Sequence, residues 1–188
     1  MNMRTNLQNH LLIATPTLED SYFSRSVAYL FEHNEKGAMG IVVNQSANMT
    51  LEELIAMTES KGFIDDVRAS NPVMVGGPVN RDRGFILHST QLGWSSSLAL
   101  NSEIMITTSK DILEVIGNDK GPADAIVALG YSGWAPGQLE QELEQNSWLT
   151  VEADKDLLFN VPAEQKWQAA IDKLGIDIWS LSPNVGHA

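Results

Sequence analysis

Residues 26–44 read Ser26-Val-Ala-Tyr-Leu-Phe-Glu32, then His33-Asn-Glu-Lys-Gly37, then Ala38-Met-Gly-Ile-Val-Val-Asn44. Two runs rich in β-branched and aromatic residues flank a polar stretch, which predicts a β-hairpin with a five-residue loop. Gly40 inside the second run marks a bulge or a close backbone approach. Upstream, Leu11 to Thr15 is apolar and ends at Pro16, as a short buried strand does. Downstream, Pro72 to Val75 stops at Gly76-Gly77-Pro78 and Gly84 to His88 returns, which reads as a second hairpin. Glu103–Thr107, Asp124–Gly130 and Trp148–Glu152 read as further strands. Helices enter between and after them. Thr50 with Glu53 makes a capping box. Ser109 caps a helix running to Gly117. Gln138–Asn146 places Leu139 and Leu143 on one face, and Pro162–Leu174 ends at Gly175. Hairpins first and helices later predict an α+β domain with a mixed sheet, not a doubly wound parallel fold.

The chain has 188 residues, 43 % of them hydrophobic, which suits a single domain over 1–188 with a self-sufficient core. The ends, 1–6 and 182–188, are expected to be flexible. The absence of cysteine excludes disulfides and thiolate zinc sites. No apolar run reaches the roughly 20 residues of a membrane span. No long apolar stretch follows Met1-Asn2-Met3-Arg4-Thr5-Asn6, so no signal peptide is read and a cytoplasmic location is expected. Twelve Lys+Arg against 24 Asp+Glu give a net charge of −12. That charge repels polyanions and disfavours direct nucleic-acid binding; an acidic face suits a basic protein or a cation. The acid is concentrated between Gly137 and Asp156, where six carboxylates meet only Lys155.

The segment Gly130-Tyr-Ser-Gly-Trp-Ala-Pro-Gly137 is the densest signal for chemistry. It reads as a Gly/Pro turn between a strand and a helix, where free N–H groups can meet an anion. With Gly76, Gly77, Arg81 and Arg83 it could form a pocket for a small anion or nucleotide. No phosphate-binding Gly-Lys motif is present. A serine nucleophile at Ser132 lacks the second glycine of the nucleophile elbow, because Trp134 stands there, and only His187 follows it. His10, His33, His88 and His187 form no metal spacing; His33 is placed at a turn and His88 at a strand end. The pairs Glu19-Asp20 and Asp65-Asp66 read as loop and cap residues. No metal and no cofactor is expected.

The string from Gly130 to Leu143 resembles the signature of the YqgE/AlgH family of bacterial proteins. So do Leu12–Pro16, Phe23–Val27, Glu32-His33, Gly37–Asn44, Gly76-Gly77-Pro78-Val79 and Leu174-Gly-Ile-Asp, in order along the chain. The resemblance implies a small cytosolic protein whose mostly antiparallel sheet bends into a pseudo-barrel with flanking helices. It implies a suggested role in transcription regulation and no agreed catalytic set. The positions marked as a shared pocket or interface are His33, Asn44, Gly76, Gly77, Arg81, Gly130, Ser132, Trp134, Gly137 and Glu140.

Three functions compete. The first is a non-enzymatic regulator or adaptor acting through protein contacts, with Trp134 as an exposed anchor. The second is a small-anion or nucleotide binder, a cryptic enzyme, at Gly130–Gly137. The third is a direct DNA-binding regulator, which the charge of −12 disfavours.

Overall fold

The computed structural model describes residues 5–18 and 22–181. Of the ends expected to be flexible, 1–6 and 182–188, residues 1–4 and 182–188 lie outside the described residues, as do His187 and the pair Glu19-Asp20. The strands are β1 (His10–Ala14), β2 (Val27–Asn34), β3 (Gly37–Val42), β4 (Ser46–Thr50), β5 (Pro72–Val75), β6 (Val79–Ser89), β7 (Ser97–Ala99), β8 (Ile104–Thr107), β9 (Ala125–Trp134) and β10 (Trp148–Glu152). The helices are α1 (Leu51–Ala56), α2 (Asp66–Ala69), α3 (Gln138–Glu144) and α4 (Lys166–Leu174). The sheet runs β10-β1-β2-β3-β9-β6-β8-β7, with β4 and β5 appended beside β9. Among the described residues only β5 and β9 pair in parallel. The sheet curls into a half-barrel, an α+β domain of the expected class.

Both faces of this sheet are covered, which explains why its strands alternate so loosely in sequence. Along β1, Leu11 and Ile13 enter one core with Tyr29, Ile41, Phe85, Leu87 and Ile126. Leu157, Trp167, Ala170 and Ile171 from the C-terminal segment close that core. Leu12 and Ala14 point the other way, into a cluster with Leu30, Val42, Trp134, Leu139 and Trp148. Farther along the same outer face, Leu51 and Ile55 of α1 cover Val73, Ile86 and Val127. A strand buried on both sides has no polar face to reveal its period.

Several local expectations change. The β2–β3 connection is the two residues Glu35 and Lys36, so His33 lies in a strand and not at a turn. Register shifts between Leu30 and Glu32 opposite Gly40, which is the anticipated bulge. β5 and β6 form no hairpin: β5 pairs with β4 and β9, and β6 with β8 and β9. The Ser109 segment is a 3-10 turn over Lys110–Glu114, and Ser109 donates to Asp111 Oδ1 at 2.5 Å instead of capping. The Thr50 capping box is present, with Thr50 N–H on Glu53 Oε2 at 2.8 Å and Glu53 N–H on Thr50 Oγ1 at 3.2 Å. The last helix begins at Lys166, after a 3-10 turn over Ala163–Gln165, and ends at Gly175 with φ +65°. β4 and β7 are strands that the sequence pattern did not mark.

Helix α4 is anchored at its start. Trp167 Nε1 donates to Ala14 O at 2.8 Å, and Lys166 Nζ reaches Val43 O at 3.3 Å. Lys166 is 4 % exposed, and burial lowers its pKa from 10.5 to about 8. Below pH 8 both the folded and the unfolded chain carry the ammonium, and the fold bears its burial cost. Between about 8 and 10.5 the unfolded chain holds more protons than the native one, so stability rises with pH. Denaturant unfolding from pH 7.5 to 10 is therefore expected to show a gain of about 2 kcal/mol. The window stops at 10 because ionisation of the Tyr29 phenol, also pushed up by burial, acts oppositely above it. Lys166→Met is expected to remove this gain; parallel curves for the two proteins would contradict it.

Candidate functional site

The glycine segments read from sequence do meet, and the meeting is a closed one. Strand β9 continues through Gly130, Tyr131, Ser132, Gly133 and Trp134, so this stretch is strand and not turn. One edge of β9 pairs with β6. Its other edge is shared: β5 holds Ala128 and Leu129, and β3 holds Ser132, Gly133 and Trp134. Gly76 and Gly77 lie at the handover. Gly76 N–H donates to Leu129 O at 2.8 Å, and Gly76 O accepts from Val42 N at 2.9 Å and from Ser132 Oγ at 3.1 Å. A Cβ on Gly76 would stand 2.3 Å from Gly130 O, and one on Gly77 2.1 Å from Tyr131 C and O. Gly130 itself has φ +76°, a conformation that suits glycine. No ligand fits between backbones this close.

The other marked residues are likewise drawn into the fold. Ser132 is 1 % exposed and donates to a main-chain carbonyl, which removes the geometry of a nucleophile. Trp134 is buried and not an exposed anchor. Asn44 accepts from Val27 N and donates to Arg25 O, both at 2.9 Å, and so fixes the entry to β2. Gly137 has φ +79° at the start of α3, with open space around it. Arg81 and Arg83 project from an outward bulge between Val79 and Gly84, where four residues of β6 stand against Gly130 alone in β9. Arg83 stacks over the Phe85 ring at 5.3 Å. Burial raises the Tyr22 phenol pKa, and the positive charge of Arg81 partly opposes this.

Buried His33 pairs with half-buried Glu140. His33 Nδ1 accepts from Leu7 N–H at 2.9 Å, so the proton of the neutral ring is on Nε2. Nε2–H then donates to Glu140 Oε1 at 2.9 Å, joining β2 to α3. Glu142 was not marked by the sequence reading, yet it holds the same corner. Its Oε2 accepts from Trp134 Nε1 at 2.9 Å and from Trp148 Nε1 at 2.8 Å, and its Oε1 accepts from Gln138 Nε2 at 3.0 Å. The two indoles meet edge to face at 6.1 Å between centroids. The available signal was a carboxylate placed between two tryptophans in the chain. Part of the acidic run is thus engaged within the fold, and Asp154 pairs with Lys173 at the surface. Beside this corner lies an open cavity of about 360 Å³ whose lining includes Lys36, Glu32, Met39, Tyr131, Gly133 and Trp134. Among the described residues no group of three or more His, Asp or Glu could hold a metal. No helix there is long and apolar enough to cross a membrane.

A one-domain α+β half-barrel, wired at one corner by His33–Glu140 and the Trp134–Glu142–Trp148 bridge, is the class that this geometry defines. The chain belongs to the AlgH-like family, whose model matches residues 11–179. A UPF0301 protein of Idiomarina loihiensis is 49 % identical over 183 residues, covering 97 % of this chain and 99 % of that protein. A UPF0301 protein of Yersinia pseudotuberculosis is 52 % identical over 186 residues, covering 97 % and 100 %. The solution structure of the AlgH protein from Pseudomonas aeruginosa superposes with a TM-score of 0.78 at 40 % identity, covering 100 % of this chain and 99 % of that one. A crystal structure of protein DIP2367 from Corynebacterium diphtheriae, 21 % identical over 97 % of this chain and 94 % of its own, shares the fold with a TM-score of 0.75.

Replacing Glu142 tests the corner. Glu142→Leu leaves two indole N–H groups without their acceptor and is expected to cost about 3 kcal/mol, lowering Tm by about 6–12 °C. Glu142→Gln keeps an acceptor oxygen and loses much less. Equal melting of Glu142→Leu and the parent would show that the bridge contributes nothing.

Proposed function

We propose that this protein works in the cytoplasm as a regulator or adaptor, by contact with a protein partner of basic surface. The supporting observation lies away from the glycine segment. Between residues 57 and 67 the chain presents Met57, Phe63 and Val67 to solvent, at 73, 73 and 82 % exposure. Large apolar side chains exposed close together in the chain are a feature of interaction surfaces. They are carried by α1, α2 and their connection, which is held firmly from behind. Asp65 N–H bonds Gly117 O at 2.7 Å, and Asn118 Nδ2 bonds Phe63 O at 2.8 Å. The connection abuts a groove of about 560 Å³ lined by Lys61, Phe63, Glu114, Val115, Asp119 and Lys120. The net charge of −12 favours a basic partner and steers its approach.

A second reading has one specific support, the cavity of about 360 Å³ beside Tyr131, Gly133 and Trp134. Lys36 at its rim offers a cation to a small anion or nucleotide, and Tyr131 a ring to a base.

The test uses a partner captured by the full chain, identified, purified and rebound to it. Phe63→Ser with Val67→Ser is expected to weaken that binding at least about tenfold, with Tm unchanged and affinity falling as salt rises. Undiminished binding by the double variant overturns the reading. So does concentration-dependent self-association lost in that variant, which would make the occupant a second copy. Stabilisation by nucleotide or phosphate with no such partner would favour the second reading.

A further inference from the structure

The sheet ends at two edges, β10 and β7, and they are treated differently. On β10, Ala153 N–H bonds Asn9 O and Thr15 N–H bonds Ser147 O. By the antiparallel alternation, Glu152 opposite His10 then turns its main-chain groups away from β1. That outward Glu152 O accepts from Lys173 Nζ of α4 at 3.3 Å. A lysine laid over an edge keeps further strands off.

Strand β7 has no such guard. Leu100 N–H bonds Ile104 O and Thr108 N–H bonds Ser96 O, both at 2.9 Å. These two bonds set the phase of the ladder. Leu98 pairs its N–H and C=O with Ile106, while Ser97 and Ala99 turn theirs to the open side. Among the described residues no strand pairs with β7 there. Ser97-Leu98-Ala99 is exposed throughout and carries neither charge nor proline.

Beside this edge lies an open cleft of about 440 Å³. Side chains of β7 alternate across the sheet. Ser97 Oγ meets Thr107 Oγ1 on one face. Leu98, opposite Ile106, faces the concave side and forms the cleft with Ile106 and Phe31. Ser97 borders the cleft as well, so the cleft reaches the open edge. Glu32 supplies its charge. The bulge after Leu30 puts Glu32 opposite Met39, which packs against the concave core, so Glu32 shares the side of Phe31. Its carboxylate accepts from Asn34 Nδ2 at 3.0 Å. Among the described residues no ion pair holds Glu32, and no Lys or Arg lines the cleft.

We propose that β7 accepts an extended, basic peptide segment of a partner protein as an added antiparallel strand, with an apolar side chain seated among Phe31, Leu98 and Ile106 and a Lys or Arg set against Glu32. The residues of the segment opposite Ser97 and Ala99 take up the outward N–H and C=O groups. The residue between them, opposite Leu98, sends its side chain into the cleft. Residues two places to either side share that face, which puts a cation within reach of Glu32. The net charge of −12 favours the same sign of partner. No residue from 57 to 67 lines this cleft, so the two surfaces are separate and can be tested separately.

The probe is the peptide acetyl-Thr-Lys-Thr-Val-Thr-Lys-Thr-amide, which as a strand shows Lys, Val and Lys on one face. It is titrated into the isotope-labelled full chain, and amide exchange is read by NMR. Without peptide, the Ser97 and Ala99 amides are expected to exchange faster than that of Leu98. At saturation they are expected to slow at least about tenfold. The counterpart with Glu in place of both Lys is expected to bind at least about tenfold more weakly. Ala99→Pro removes one outward N–H and no bond to β8, and is expected to weaken binding at least about tenfold with Tm little changed. Should Ala99→Pro not fold, Leu98→Lys, at an exposed position, places a cation in the cleft and is expected to abolish binding. Absence of saturable binding, Ser97 and Ala99 amides that stay fast in the bound state, equal binding of the acidic peptide, or affinity indifferent to the folded variants overturns the proposal. So does protection of the same amides by self-association without peptide, which would make a second copy the occupant.

Discussion

The structure depends on how strand β9 satisfies both of its edges. A strand in the middle of a sheet must pair its N–H and C=O groups on each side, because unpaired buried backbone is costly. On one side β6 serves this role along most of its length. On the other side the partner changes from β5 to β3 partway along. Two chains can exchange there only if the backbones come closer than side chains permit. Gly76, Gly77 and Gly130 supply that closeness, with virtual Cβ positions 2.1–2.5 Å from opposing backbone atoms. Ser132 bonds Gly76 O across the same junction. The bulge of β6 between Val79 and Gly84, beside the positive φ of Gly130, bends the sheet at this place.

From this junction the remaining architecture follows. The curl gives the sheet a concave core closed by α4 and a convex side covered in two patches, one by α3 and one by α1. The α3 patch is electrostatically fixed. His33 binds Glu140, and Glu142 gathers two indole N–H groups. Carboxylates that seem a solvated acidic face in sequence are therefore partly engaged by the fold, half-buried against His33 and the two indoles. What is left for solvent near α2 includes the apolar side chains of Met57, Phe63 and Val67.

The hairpin over 26–44 was legible because strand formers and a polar turn are local signals. The α1 capping box was legible for the same reason, as was the glycine stop after Leu174. The second half of β9 was not. Its inward residues are Gly130, Ser132 and Trp134, and two of these are small, so a true period of two looks like a turn. The absence of pairing between β5 and β6 was also hidden, since partner choice is set by distant strands. At the candidate site, residue types were well chosen: Gly76 with Gly130, and His33 with Glu140, do come together. Their burial was not legible, because burial is not local information. Glu142 escaped notice because its partners, Trp134 and Trp148, are brought together by folding across different elements.

Amide hydrogen exchange along β9 probes the shared-edge junction most directly. Paired amides in residues 131–134 should exchange as slowly as those in 126–129, through opening of the whole domain. Exchange of residues 131–134 at the rate of an exposed loop, with 126–129 protected, would show that the strand ends at Gly130 and that the junction does not hold the sheet.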